Sequence, residues 1–191
     1  NNITKQSGGE DMGLNMGTAG FYTFVMRDAG YVNSEVYIAY TANVPVTVSR
    51  TGQSFSNGQS LISITSGGTP SSGENIYVRY RTGTNDFTSN TAIVQATGSG
   101  TSWTAAIPAQ ACGATVYYYV FTSTRTLSQL NAHSEQERSL AAIRYDDSFG
   151  ANFSYNVSPV PTAGITNNSG STQLTCALTS ISVTATGGVS Y

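Results

Sequence analysis

His133 is the only histidine in the chain, so any mechanism that runs on an imidazole base has to be assembled around it. Glu137 follows one helical turn later, a spacing that serves either a helical ion pair or half of a two-ligand metal site. No G-x-S-x-G elbow accompanies them, and no Ser/His/Asp set can be built around His133, so the ion pair is the reading and no catalytic residue is assigned. Asp146 and Asp147, with Ser148, Gly150 and Asn152, array oxygens as a calcium loop would. A calcium site needs six to eight oxygens and more acid than this, so the segment reads as a β-turn. Asp86 in TGTNDFTSN reads the same way. Neither Gly67-Gly68 nor Gly98 to Gly100 precedes a helix, which removes the geometry that cradles phosphate. The expectation is a protein with no enzymatic activity, no metal and no cofactor.

The remaining chemistry is aromatic. Gly113 to Thr124, GATVYYYVFTST, sets three consecutive tyrosines in a β-branched run bounded by turn residues, which is the composition of a central strand. Upstream, Asn75 to Arg81 alternates Ile76, Val78 and Tyr80 on one face with Tyr77, Arg79 and Arg81 on the other. Trp103, the single tryptophan, shares a face with Ala105 and Ile107 and is expected in the core.

The elements that must position these residues are short strands. From Arg50 onward, candidate strands recur about every ten residues between Gly/Asn/Ser turns: 60–65, 75–81, 92–96, 102–107, 115–122 and 152–157. No helical pattern separates successive strands, which argues against a parallel α/β sheet. One helical stretch interrupts the series. Ser134 and Glu137 match a capping box ahead of Leu140 and Ile143, predicting a short helix over 135–143, laid across an end of the sandwich before its last strand. Before Arg50, residues 1–20 have no periodicity and read as a loop, 21–29 and 35–49 alternate as strands, and Pro45 belongs at a strand break or edge. Val157-Ser-Pro-Val-Pro161 reads as a stiff linker. Beyond it 173–177 and 180–185 read as the first strands of a further unit, too short to hold a core of its own. The expected organisation is therefore 1–49 as strands of a preceding or partial β domain, 50–158 as a sandwich, and 159–191 as a linker and truncated repeat.

Composition limits the partners. Charged residues are 9% of the chain, against about 25% in an average soluble domain. A net charge of −2 leaves no footprint for nucleic acid or an anionic membrane. No apolar run reaches the roughly 18 residues of a membrane span, and the first residues lack a signal-peptide pattern, so the chain reads as a mature or internal segment. Cys112 and Cys176 have no metal-ligand or redox spacing; they could pair with each other, or Cys176 with a residue beyond the chain.

SWTAAIPAQACGATVYYYVFTS resembles the fibronectin type III and immunoglobulin-like sandwich family, through Trp103, Ile107, Pro108, Gly113 and Tyr117 to Tyr119. NIYVRYRTG and DDSFGANFSYNV are similar to a bacterial variety of that module found in large secreted and cell-surface proteins, often cargo of the type IX route. The segment from Thr162 is similar to the start of their Ig-like repeats. The resemblance implies an all-β chain of tandem sandwiches with one short helix before the last strand of the central module, secreted or at the cell surface, with neighbouring domains of a longer chain as partners. It also implies that 75–81 and 115–122 are antiparallel neighbours. With Val116, Tyr118 and Val120 facing inward, an exposed patch of Tyr77, Arg79, Tyr117 and Tyr119 would result, open to a glycan or a surface protein. Two functions follow: a non-catalytic spacer or adhesion repeat, or a carbohydrate-binding accessory module of a polysaccharide-degrading enzyme.

Overall fold

The computed structural model describes residues 2–4, 17–27, 35–158, 164–170 and 180–186. They belong to two compact units, Asn1–Val157 and Ser158–Tyr191. Among the described residues about half are β-strand, in antiparallel sheets, as expected of an all-β protein.

The first unit opens with β1 (Asn2–Thr4), β2 (Phe21–Arg27) and β3 (Glu35–Thr41), ordered β1-β3-β2. The first of these lies within a segment that reads as loop in the sequence. Residues 42–47, with Pro45, form the irregular break before β4 (Val48–Ser56). Asn57 and Gly58, at φ 50 and 77, turn β4 into β5 (Gln59–Ser66), because a two-residue hairpin loop needs left-handed backbone at both positions. Then come β6 (Asn75–Thr82), β7 (Ala92–Gln95), β8 (Thr97–Ser99), β9 (Ser102–Ile107) and β10 (Thr115–Ser123). Helices α1 (Leu127–Ala132) and α2 (Glu135–Leu140) precede β11 (Arg144–Asp146) and β12 (Phe153–Asn156).

Two sheets face one another. One runs β4-β5-β9-β8; the other runs β11-β10-β6-β7, with β12 pairing β10 beside β11. Their apposed faces form a buried cluster of Val48, Ile62, Ile64, Ile76, Val78, Ala96, Ala105, Ile107, Tyr118 and Val120, with Trp103 and Tyr80 packed at its margin. The alternation read for 75–81, 102–107 and 115–122 is the alternation observed. At the seam between the sheets, Asp146 accepts from the backbone N–H of Arg50 at 2.7 Å.

The tyrosine strand has a second buried side. Tyr77 and Phe121 belong to another cluster with Tyr37 and Ala39 of β3, Ile93, Leu130 of α1, and Leu140 to Ile143 around the end of α2. The helices therefore lie over the face of the β6–β10 sheet and not across an end of the sandwich. The helical stretch also divides in two, each helix starting from its own capping box: Thr126 with Gln129, and Ser134 with Glu137. Residues of β3, which the sequence assigns to a preceding or partial β domain, share this core. Among the described residues, no helix is long and apolar enough to cross a membrane.

In the second unit, β13 (Gly164–Asn167) pairs antiparallel with β14 (Val183–Thr186). The strand read at 173–177 lies outside the described residues, as does Cys176. Cys112 is an exposed free thiol.

Candidate functional site

β6 and β10 are antiparallel neighbours, with Arg79 directly opposite Tyr119 and Arg81 opposite Tyr117. Period two sets Tyr77, Arg79, Tyr119 and Tyr117 on one face of this pair, as the sequence predicts. Their exposure differs from expectation. Tyr77 and Arg79 are fully buried, and Tyr117 and Tyr119 are half-buried, because α1, α2 and β3 cover the face that the arginines seemed to mark as solvated. An exposed Tyr/Arg patch is not what these four residues form.

Two of them, Arg79 and Tyr119, belong to an enclosed polar lock. A guanidinium has five N–H donors in a fixed fork, and each of the five on Arg79 has an acceptor. Nε donates to Thr91 Oγ1 at 2.9 Å. Nη1 donates to Tyr119 Oη at 3.0 Å and to Ser139 Oγ at 2.9 Å. Nη2 donates to the Phe87 carbonyl at 2.7 Å and to Glu135 Oε2 at 2.8 Å. Glu135 is the first residue of α2, and its carboxylate also accepts from the Thr91 hydroxyl, from the Thr91 N–H at 2.9 Å and from Arg138 Nη1 at 3.1 Å. The guanidinium carbon stands 5.6 Å from the Phe87 ring centre and 6.0 Å from that of Tyr119, within cation–π range.

Burial alone would push the Glu135 carboxyl up. The Thr91 hydrogen bonds, with Arg79 and Arg138, outweigh it and hold the carboxyl below its ordinary range. Burial drives the Tyr119 hydroxyl up, with Arg79 opposing. The Tyr77 hydroxyl is pushed up by burial to about 12 and donates to the Arg125 carbonyl at 2.8 Å. The Arg79 donors are thus taken by Tyr119, α2 and residues 83–91, and the Tyr77 hydroxyl by Arg125.

His133 lies away from this lock, in a small groove lined by Glu35, Tyr37, Arg125 and Glu137. Its Nδ1 is 3.5 Å from Glu137 Oε2. The same oxygen accepts from the Ser134 N–H and the Ser134 hydroxyl, both at 2.8 Å, closing the capping box. Those Ser134 bonds, ahead of the His133 contribution, hold the Glu137 carboxyl low. The oxygen nearest the imidazole is therefore committed to starting a helix. Asp86 is held low first by Thr88, and it bridges Arg81 at 3.3 Å. Asp146 and Asp147 cap their own turn through the N–H groups of Ser148 and Gly150. Among the described residues, no group of three or more His, Cys, Asp or Glu side chains could hold a metal ion.

The surface that sequence reasoning missed is the outer face of β2 and β3. Tyr22 pairs with Tyr40, Phe24 with Ile38, and Met26 with Val36, so six uncharged side chains share one face. Phe24 and Met26 are 51% and 70% exposed. The signal was present: FYTFVMR and EVYIAYT are apolar on both faces, which is the pattern of strands covered on both sides. Here the described structure covers only the side that carries Val25, Tyr37 and Ala39.

Comparison with protein-family models, curated proteins and solved structures gives no match to this chain.

Proposed function

We propose that the chain is a non-catalytic β-sandwich segment of a large secreted or cell-surface bacterial protein, serving as a structural spacer or adhesion repeat. The observation that supports this most is the Arg79 lock: all five guanidinium donors are taken by protein acceptors, four on α2 and residues 83–91 and one on Tyr119. A site that recognises a ligand keeps donors and acceptors directed at open space. Low charge, the Pro159/Pro161 segment and the fibronectin type III resemblance fit the same reading. The carbohydrate-binding alternative rested on an exposed Tyr77, Arg79, Tyr117 and Tyr119 patch, and the burial of the first two withdraws that support.

The test has two arms. An antiserum against the chain should label intact cells or the culture medium of the producing organism, and confinement to the cytoplasm would overturn the proposal. On a glycan array and in polysaccharide pull-downs the purified chain should show no saturable binding. Binding abolished by Tyr117→Ala with Tyr119→Ala would reinstate the accessory-module reading.

A further inference from the structure

We propose that β2 is a self-pairing edge, through which two copies of this chain join into one continuous sheet about a two-fold axis at Phe24. The proposal is independent of where the protein resides and of its role there. It starts from a liability. All seven residues of β2 pair with β3, and among the described residues no strand occupies the other side of β2. Such an edge presents a row of unpaired N–H and C=O groups, and proteins that must remain monomeric blunt it with proline, a bulge, lysine or an inward charge. FYTFVMR contains none of the first three, and its register with β3 runs without a break. Its one charge, Arg27, stands at the end of the strand beside Glu35, with Nε 3.3 Å from Oε2.

The occupant is specified by the sequence of the strand itself. In an antiparallel pairing centred on Phe24, Phe24 meets its own copy, Tyr22 meets Met26, Thr23 meets Val25, and Phe21 meets Arg27. Each of these is a favourable cross-strand type: aromatic on aromatic, sulfur on aromatic, β-branched on β-branched, and cation on aromatic. No like charges are opposed. A centre at Thr23 or Val25 leaves residues unpaired at one end, so Phe24 is the centre that pairs all seven. The two-fold operation makes the contact isologous and closed, giving a dimer and not a fibre. The three-stranded sheet β1-β3-β2 would become six-stranded, and Tyr22, Phe24 and Met26 of both copies would form one apolar band across the junction.

An interface of one strand and its flanking side chains is small, so dimerisation should be weak, with a dissociation constant on the order of 100 µM. Sedimentation velocity over a concentration series should show it. Phe24→Lys opposes like charges at the axis and should weaken association about tenfold or more. Phe24 is half-exposed on the outer face, so circular dichroism and thermal unfolding of that variant should be unchanged.

The register is tested by cysteine placement in a Cys112→Ser, Cys176→Ser background. Phe24→Cys alone should give a disulfide dimer on mild oxidation. Tyr22→Cys alone should not, because its copy lies about 13 Å away along the sheet, whereas Tyr22→Cys mixed with Met26→Cys should cross-link. A chain that stays monomeric at ten times the expected constant would overturn the proposal. So would association that Phe24→Lys leaves intact, or Tyr22→Cys cross-linking as fast as Phe24→Cys, which would mean that the two sheets stack face to face.

Discussion

The two faces of the β6–β10 strand pair are held by different physics. On the face toward β5 and β9, Ile76, Val78 and Val120 pack against Ile62, Ile64, Ala105 and Ile107, and their attraction is non-directional. On the face toward the helices, Tyr77 and Phe121 contribute a smaller apolar cluster, and next to it Arg79 fixes α2 and residues 83–91 through directional bonds. An apolar layer tolerates some sliding of its partners; a five-donor fork accepts one arrangement. The contrast teaches that the polar residue on a strand can be the best-enclosed one, since short helices with little apolar surface need a geometric anchor more than strands do.

The sharpest way to break this contrast is to remove each kind of support in turn. Arg79→Leu leaves the Glu135 carboxylate, 17% exposed at its side chain, without its closest cation, and should cost about 3–5 kcal/mol in urea unfolding. Ile76→Ala removes apolar volume from the other face and should cost about 2–5 kcal/mol, governed by the cavity left behind. The magnitudes overlap, so the distinguishing measurement is coupling. Adding Glu135→Leu to Arg79→Leu should recover part of the loss, because a carboxylate left with Arg138 and Thr91 as its remaining partners is gone. A double variant whose cost is the sum of the single costs within about 0.5 kcal/mol would mean that the lock is packing by another name.

How far the sequence leads is visible in these same residues. Alternation placed Ile76, Val78 and Tyr80 opposite Tyr77, Arg79 and Arg81, and the Ser134/Glu137 box marked a helix start. Period two says which residues share a face, but not what lies over it. Arg79 and Arg81 are indistinguishable by pattern, yet one is fully enclosed and the other partly exposed, because α2 starts opposite the first. A usable hint was Glu135 with Arg138: a short helix with charges one turn apart must put them somewhere, and a sheet face bearing arginine is a complementary place. The covering of that face by β3 is a long-range contact that no local pattern encodes.

Acid titration sharpens the comparison with a smaller effect. Glu135 has an ordinary value of 4.5 and is held below it in the fold. A depressed folded-state value means that its contribution is fully present above about 4.5 and lost as the pH falls through the folded-state value. Glu74, buried beside the break after β3 and accepting from the Val46 N–H at 3.0 Å, is shifted the other way, mainly by burial. Its contribution is full below about 4.5 and lost as the pH rises through its raised value. Urea midpoints between about pH 3 and 6 should therefore fall less steeply on the acid side in Glu135→Gln and more steeply in Glu74→Gln. Identical slopes in the two variants would remove the electrostatic part of the distinction.

The smallest effects separate the enclosed lock from the open groove. Ser134 Oγ accepts from the Glu137 N–H at 3.3 Å and caps α2, so Ser134→Ala should cost about 1 kcal/mol. His133 faces the same glutamate from a half-exposed position at 3.5 Å, and water screens that pair. His133→Ala should therefore change stability by less than about 0.5 kcal/mol by thermal or urea unfolding. A loss as large as that of Ser134→Ala would show that the imidazole ring, and not the serine alone, holds Glu137 in place, and the groove beside Glu35 and Arg125 would then be a second polar lock.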